Sequence, residues 1–472
     1  MTGLDLVIRG AQVVLETGPV AADLGIADGR VASLMEPGRP VAAAEEIDAR
    51  GLTILPGAID PHLHLGHGKD IARPREPSDA AMETAAAAVG GVTCFVPYLM
   101  GTGPYSDIFD EVVSVTEAGA RIDFGYHLII STEEQLAEVA GFIRERGVPT
   151  FKIFMNNRGR EGARLHMPDL DDGFLFRLCE VAAENGGVVC PHPENIEIAW
   201  VLRDRAKASD PDGKGGLATW NATRPPFVEA EAVQRAGYLG RVTGSPVYIV
   251  HTSSAEALEA GLRARQAGAA ITIETCPHYL THDIGWPGGE IGKINPPLRE
   301  ASDREALWRG VADGSVDTIG TDHVHRDLSA KQGGIWGASP GCPGLETMLP
   351  VMLSEGHAKR GIPLARIAAV TSANAARALG LGRRKGRIAL GYDADLAIVD
   401  LGARWTVERG SVVSGAGYSI YEGVELQGRI VHTIVRGRPV LRDGILVDQA
   451  VGTGLFMSRA LKDRDLSILG RM

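Results

Sequence analysis

The stretch Ile54-Leu55-Pro56-Gly57-Ala58-Ile59-Asp60-Pro61-His62-Leu63-His64-Leu65 is where the texture of the chain changes. Before it, short apolar runs at Leu4 to Val14, Ala21 to Ile26 and Arg30 to Met35 alternate with turn residues such as Asp28-Gly29, a pattern of strands joined by hairpins. From Ile54 onward, short apolar strands alternate with helical stretches, as in a chain of βα units. Candidate strands fall at Ile54 to Leu65, Val92 to Tyr98, Asp123 to Ile130, Thr150 to Met155, Val188 to His192, Pro246 to Thr252, Ala270 to Cys276 and Asp317 to Asp322. Eight parallel strands are what a (β/α)8 TIM barrel of the α/β class requires. Helices are expected over Ser78 to Val89, with serine as N-cap, and over Glu133 to Arg146, Asp172 to Glu184 and Ser254 to Gln266.

After Gly386 the strand-and-turn texture returns, in Arg387-Ile388-Ala389, Ala394 to Val399, Gln427 to Val435 and Pro439 to Leu446. The two chain ends therefore read as one small composite β domain, residues 1–57 with 383–472, beside a barrel of residues 58–382. The tail 452–472 reads equally as a subunit-contact arm or as a mobile end.

Composition narrows the function classes. A net charge of -11 argues against a polyanionic partner, so nucleic acid is not expected. Cys94, Cys179, Cys190, Cys276 and Cys342 are scattered, with no CxxC pair, and read as reduced thiols. No signal-like amino terminus and no uncharged segment of spanning length stand out, so a cytoplasmic enzyme without membrane contact is expected.

The chemistry gathers at the ends of the candidate strands. His62 and His64 are two apart on one strand and share a face, a good half-site for a metal. His192 closes the fifth strand, His251 the sixth and Asp322 the eighth. Each alone fits a hydrogen-bonded core residue or a helix cap as well as it fits a ligand. Together they sit at the carboxyl ends of strands, where barrel enzymes build their active sites. Lys152, inside the apolar run Thr150-Phe151-Lys152-Ile153-Phe154-Met155, joins them on the fourth strand. A buried cation beside metal ions is untenable, whereas a neutral amine that has taken up carbon dioxide becomes an anionic carbamate with two oxygens. Such a group could bridge two metals.

Seven segments carry a resemblance to a known family. They are Pro56 to Leu65, Phe151 to Met155, His192-Pro193-Glu194-Asn195, Arg224-Pro225-Pro226, His251-Thr252-Ser253-Ser254, Pro296-Pro297-Leu298-Arg299 and Gly320-Thr321-Asp322-His323. With Lys385-Gly386-Arg387-Ile388 and Asp393-Ala394-Asp395-Leu396, they make the chain similar to the cyclic amidohydrolases of the dihydropyrimidinase and hydantoinase family, which includes allantoinases and dihydroorotases.

The resemblance implies a β-sandwich built from both termini and a two-metal site, usually zinc. His62, His64 and Asp322 would hold one ion, His192 and His251 the other, and Lys152, as N6-carboxylysine, would be shared. It also implies Asn157, Asn295 and Pro340 as substrate contacts, a small cyclic amide or ureide as substrate, and a homotetramer or dimer. On that reading a hydroxide bridging the ions attacks the ring carbonyl, since bound zinc lowers the pKa of water to about 7, and Asp322 carries the proton to the departing nitrogen.

Subfamily signals conflict. Hydantoinases and dihydropyrimidinases carry a tyrosine five residues after the bridging lysine, where this chain has Asn157, whose amide can also donate a hydrogen bond. Dihydroorotases carry an arginine directly after the HxHL run, where this chain has Gly66. Glu274-Thr275-Cys276-Pro277-His278-Tyr279-Leu280 resembles allantoinases, Asn295-Pro296-Pro297-Leu298-Arg299 dihydroorotases, and Arg224-Pro225-Pro226 hydantoinases. The expected activity is hydantoinase or dihydropyrimidinase type, with allantoinase as the alternative and a dihydroorotase-like hydrolase behind it. A non-catalytic scaffold on this fold would have lost ligands, and all of them are present here.

Overall fold

The computed structural model describes residues 3–461 apart from Lys69 and Leu165. Its first sheet opens with β1 (Leu4–Leu15), β2 (Gly18–Ala27) and β3 (Arg30–Met35). Asp28 and Gly29 both take positive φ, 51° and 72°, which is what a two-residue hairpin between twisted strands needs. A fourth strand, β4 (Ala43–Asp48), runs parallel to β1. It escaped the sequence reading because Ala-Ala-Glu-Glu-Ile-Asp buries only Ile47.

The stretch Ile54 to Leu65, expected as one strand, is two. β5 (Thr53–Pro56) pairs with β1 and so belongs to the terminal sheet, whereas β6 (Ala58–His64) belongs to the barrel. Gly57 is the crossing point. A Cβ there would lie 2.2 Å from the Thr93 side chain, so only glycine lets the chain pass from one sheet to the other.

The barrel continues through β7 (Val92–Leu99), β8 (Asp123–Phe124), β9 (His127–Ile129), β10 (Thr150–Phe154), β11 (Val188–His192), β12 (Val247–Ile249), β13 (Ile271–Thr275), β14 (Thr318–Ile319) and β15 (His323–Val324). All pairings are parallel, and β15 returns to β6 while β14 lies on β13, so the sheet closes. The third position is split into β8 and β9, and the eighth into β14 and β15. Barrel strands bury both faces, as Val92–Leu99 does at every residue, which explains their unbroken apolar texture.

Helix starts follow local chemistry. Thr132 accepts from Gln135 N to cap Glu133–Gly141, Asp171 caps Asp172–Asn185, and Ser254 caps Ala255–Gln266. The first helix departs from expectation: it spans Pro77–Val89 with Glu76 at the N-cap, in a reciprocal pair with Asp79, so Ser78 is inside it.

The carboxyl-terminal part adds β16 (Leu396–Thr406), β17 (Glu425–Val435), β18 (Arg438–Arg442) and β19 (Ile445–Leu446) to the same terminal sheet, through β16 on β5. Arg387-Ile388-Ala389 forms no strand. Ile388 instead drops into the core with Leu6, Ile8, Leu24, Ile54 and Ile398. The composite β domain is thus one continuous nine-stranded sheet, mostly antiparallel. Residues 452–461 run along the barrel, with Phe456 bridged to Phe124 and the buried Arg459 donating to Tyr126 O and Thr150 Oγ1. Residues 462–472 of the tail lie outside the described residues. Among the described residues no helix is long and apolar enough to cross a membrane.

Candidate active site

Strand ends deliver the candidate residues to one place. His62 and His64 end β6, and Lys152 is central in β10. His192 ends β11, and His251 follows β12 in a left-handed conformation (φ 40°). Asp322 sits at the break between β14 and β15, also left-handed at φ 47°. Non-glycine residues held in that region are strained, and strain of this kind collects at functional sites. Asp322 is fixed there by its own N–H donating to His62 O at 2.8 Å, and by Thr321, whose hydroxyl and N–H both bind the buried Asp60.

The side chains converge. Nε2 of His62 is 3.2 Å and Nε2 of His64 3.5 Å from Asp322 Oδ1. Nδ1 of His192 and Nε2 of His251 face each other at 2.8 Å, and Lys152 Nζ is 3.4 Å from His62 Nε2. The Lys152 amine also lies 4.3 Å from the centre of the Tyr98 ring. Each of the six lies beside one or more of the others.

Electrostatics suit cation binding. Burial pushes the Lys152 amine down to about 8 against the pull of Asp322 and Glu274, so a fraction is neutral near physiological pH. Burial likewise pushes His64 down to about 4 and His251 well below its usual value, which leaves lone pairs free. Burial alone would raise Asp322, yet the charge of His62 and hydrogen bonds from His62 and His64 hold it well below the usual carboxylate range. Four imidazoles, a carboxylate and a poised amine form a donor set that fits divalent cations. The contact between two ring nitrogens at 2.8 Å fits the same reading, because both lone pairs can be satisfied at once by a cation.

A cavity of about 100 Å3 opens on this cluster, lined by His64, Lys152, His192, His251 and Asp322, and also by Asn157, Asn295 and Pro340. All three expected substrate contacts therefore reach the same space. Asn157, however, donates its Nδ2 to Pro168 O at 2.8 Å, while Oδ1 is buried without a partner. Asn295 Oδ1 is buried and unpartnered too. The wall at Pro340 is tied down by Gly341 N donating to Lys293 O and by Lys331 Nζ donating to Ser339 O.

Sequence reasoning missed the groups behind the ligands. His192 Nε2 donates to Glu194 at 2.8 Å, and burial, which would raise Glu194, is outweighed by Arg224 and His192, which bring it to about 2. Glu274 stands behind His62 in the same way. Both glutamates lie in quoted motifs, and their signal was a charged residue in a fully buried setting.

Comparisons with known proteins place this geometry. Residues 256–440 match the model of the amidohydrolase family. The chain is 35% identical to an allantoinase of Deinococcus radiodurans over 98% of its own length and 100% of that protein's. It is 34% identical to a D-hydantoinase of Geobacillus stearothermophilus, over 96% of this chain and 97% of the other. The solved structure of a D-hydantoinase from a Bacillus sp. superposes with a TM-score of 0.88 at 32% identity, covering 97% of this chain and 100% of that one.

Proposed function

The chain belongs to the amidohydrolase family, in the group that holds hydantoinases and allantoinases, and from that premise we propose how this metal-dependent cyclic amidohydrolase works. His62, His64 and Asp322 would hold one divalent cation, His192 and His251 the other, and Lys152, carboxylated by carbon dioxide to N6-carboxylysine, would serve both. The metal is zinc. When bound, two such cations polarise a carbonyl and make water acidic near neutral pH.

The residues of the chain do the rest. Asp322, ionised and with its Oδ1 within 3.2 and 3.5 Å of the Nε2 atoms of His62 and His64, takes a proton from the attacking water and passes it to the ring nitrogen as the carbon–nitrogen bond breaks. Asn157, Asn295 and Pro340 hold the ring against the cluster, and the unpartnered amide oxygens of the two asparagines suit ring N–H groups better than a carbonyl. The product is an open-chain N-carbamoyl or similar acid.

The observation that carries this reading is the convergence of six ligand-type side chains from five barrel strands, five of them lining one cavity and His62 in contact with Asp322 and Lys152 behind it. The substrate is a hydantoin or dihydropyrimidine. Allantoin is the second reading, favoured by the Glu274 to Leu280 segment and by 35% identity to an allantoinase. Steady-state assays of zinc-replete protein on hydantoin, dihydrouracil, allantoin and dihydroorotate decide between them. Turnover of allantoin alone overturns the hydantoin reading, and turnover of none overturns both. A homotetramer or dimer completes the proposal, as the family resemblance implies, and five buried, unpaired cysteines support a reducing, cytoplasmic setting.

A further inference from the structure

Glu274 is fully buried in the middle of the barrel, at the fourth residue of β13. A carboxylate in that setting is costly unless each oxygen is satisfied. Here both are. Oε1 accepts from His62 Nδ1 at 2.6 Å and from the backbone N–H of His251 at 2.9 Å, and Oε2 accepts from Tyr248 Oη at 2.8 Å. Tyr248 Oη is in turn 2.7 Å from Thr318 Oγ1, so the carboxylate cannot swing without breaking a second contact.

We propose that Glu274 is the positioning residue of the metal centre, locking His62 in the tautomer that turns Nε2 toward the metal and coupling that half-site to the other through His251. The proposal rests on the metal-binding reading above. With its proton on Nδ1 and that proton given to Glu274, the His62 ring keeps its lone pair on Nε2, the nitrogen 3.2 Å from Asp322 and 3.4 Å from Lys152. A carboxylate behind a ligating imidazole fixes the ring and raises its basicity, and losing such a partner costs 10- to 100-fold in metal affinity. The same oxygen holds the main chain of His251, whose ring faces His192 in the second half-site. One rigid group thus sets the distance between the two halves.

The fold keeps room for this pair. At Gly320 a Cβ would lie 2.7 Å from Glu274 Oε2 and 2.8 Å from His62 Cβ. Any other residue there would push the carboxylate and the histidine apart. Glycine two residues before Asp322 is thereby accounted for by the Glu274–His62 contact.

The test is metal release. Wild-type protein and Glu274→Gln, both loaded with zinc, are mixed with a chromophoric chelator, and the stoichiometry and rate of release are read along with far-ultraviolet circular dichroism. Glutamine keeps the volume and an acceptor oxygen but not the charge. The expected result is a folded variant whose zinc leaves at least 10-fold faster, and whose cobalt-substituted form shows an altered visible spectrum. Wild-type stoichiometry, release rate and spectrum in folded Glu274→Gln overturn the proposal. If that variant does not fold, Glu274→Asp carries the same test, since its carboxylate falls one methylene short of Nδ1: faster release supports the role and unchanged release refutes it. Wild-type protein that binds no zinc would overturn the metal reading itself, a failure visible before any variant is compared.

Discussion

Lys152 Nζ stands 3.4 Å from Nε2 of His62, in a part of the barrel where both residues are at most 1% exposed. Burial makes the charged amine unfavourable there, against the pull of Asp322 and Glu274. The geometry turns from awkward to useful once the amine carries an acid group.

Lys152→Ala is therefore expected to lower metal content below that of the wild type and to abolish turnover of cyclic amides. Elemental analysis of the purified variant, read beside its activity, checks both. Normal metal content with normal turnover would remove Lys152 from the centre.

For Asp322→Asn, the amide keeps one oxygen near His62 and His64 but cannot hold a transferable proton. Metal is expected to be partly retained while kcat falls by roughly 10²- to 10⁴-fold, the usual worth of a general acid–base group. Full kcat in a metal-replete variant would rule out the proton role.

Much of this is legible in the sequence, and the reason is positional. His62, His64, Lys152, His192, His251 and Asp322 stand in or just after short apolar runs, so strand reading and chemistry reading coincide there. What stayed hidden depends on contacts between distant residues. The split at Gly57 is dictated by Thr93, more than thirty positions away, and β4 exists because β1 offers it a partner. Glu274 carried the same oddity as Lys152, a charge in a buried strand, but its meaning lies in His62 and Tyr248, which spacing along the chain does not bring near. Asn157 shows the limit from the other side. The sequence offers it as an asparagine facing substrate, and only the fold shows its Nδ2 committed to Pro168.

The junction of barrel and terminal sheet depends on Lys385, fully buried and bound to Asp123 at 2.6 Å, Asp395 at 2.5 Å and Asp393 at 3.2 Å. Burial would depress this lysine, but Asp395 and Asp123 raise it well above its usual value. Lys385→Met leaves three buried carboxylates around an apolar side chain, with Arg436 and Arg384 as partial compensation. Destabilisation of about 3–5 kcal/mol at pH 7 is expected in urea unfolding, easing as the pH is lowered, because burial raises Asp395 and favours its protonated form. A midpoint equal to the wild type at pH 7 would show that the cluster adds nothing to stability.

Glu346 offers a pH dependence of definite sign. Burial pushes its carboxyl up from 4.5 to about 7, against the help of Ser414 N–H and Val413 N–H, each donating to Oε1 at 2.6 Å. Between those two values the folded protein holds a proton that the unfolded chain has already lost. Folding is therefore favoured at the acid end of the window, and this contribution disappears as pH rises through 7. Glu346→Gln keeps an acceptor oxygen for both N–H groups and cannot ionise. The variant should match the wild type below about pH 4 and exceed it at pH 8 by roughly 2 kcal/mol, somewhat less than the full shift would give because the side chain retains some solvent contact. Urea unfolding of both proteins at the two pH values checks this, and a variant no more stable than the wild type at pH 8 would mean that Glu346 is ionised in the folded protein without penalty.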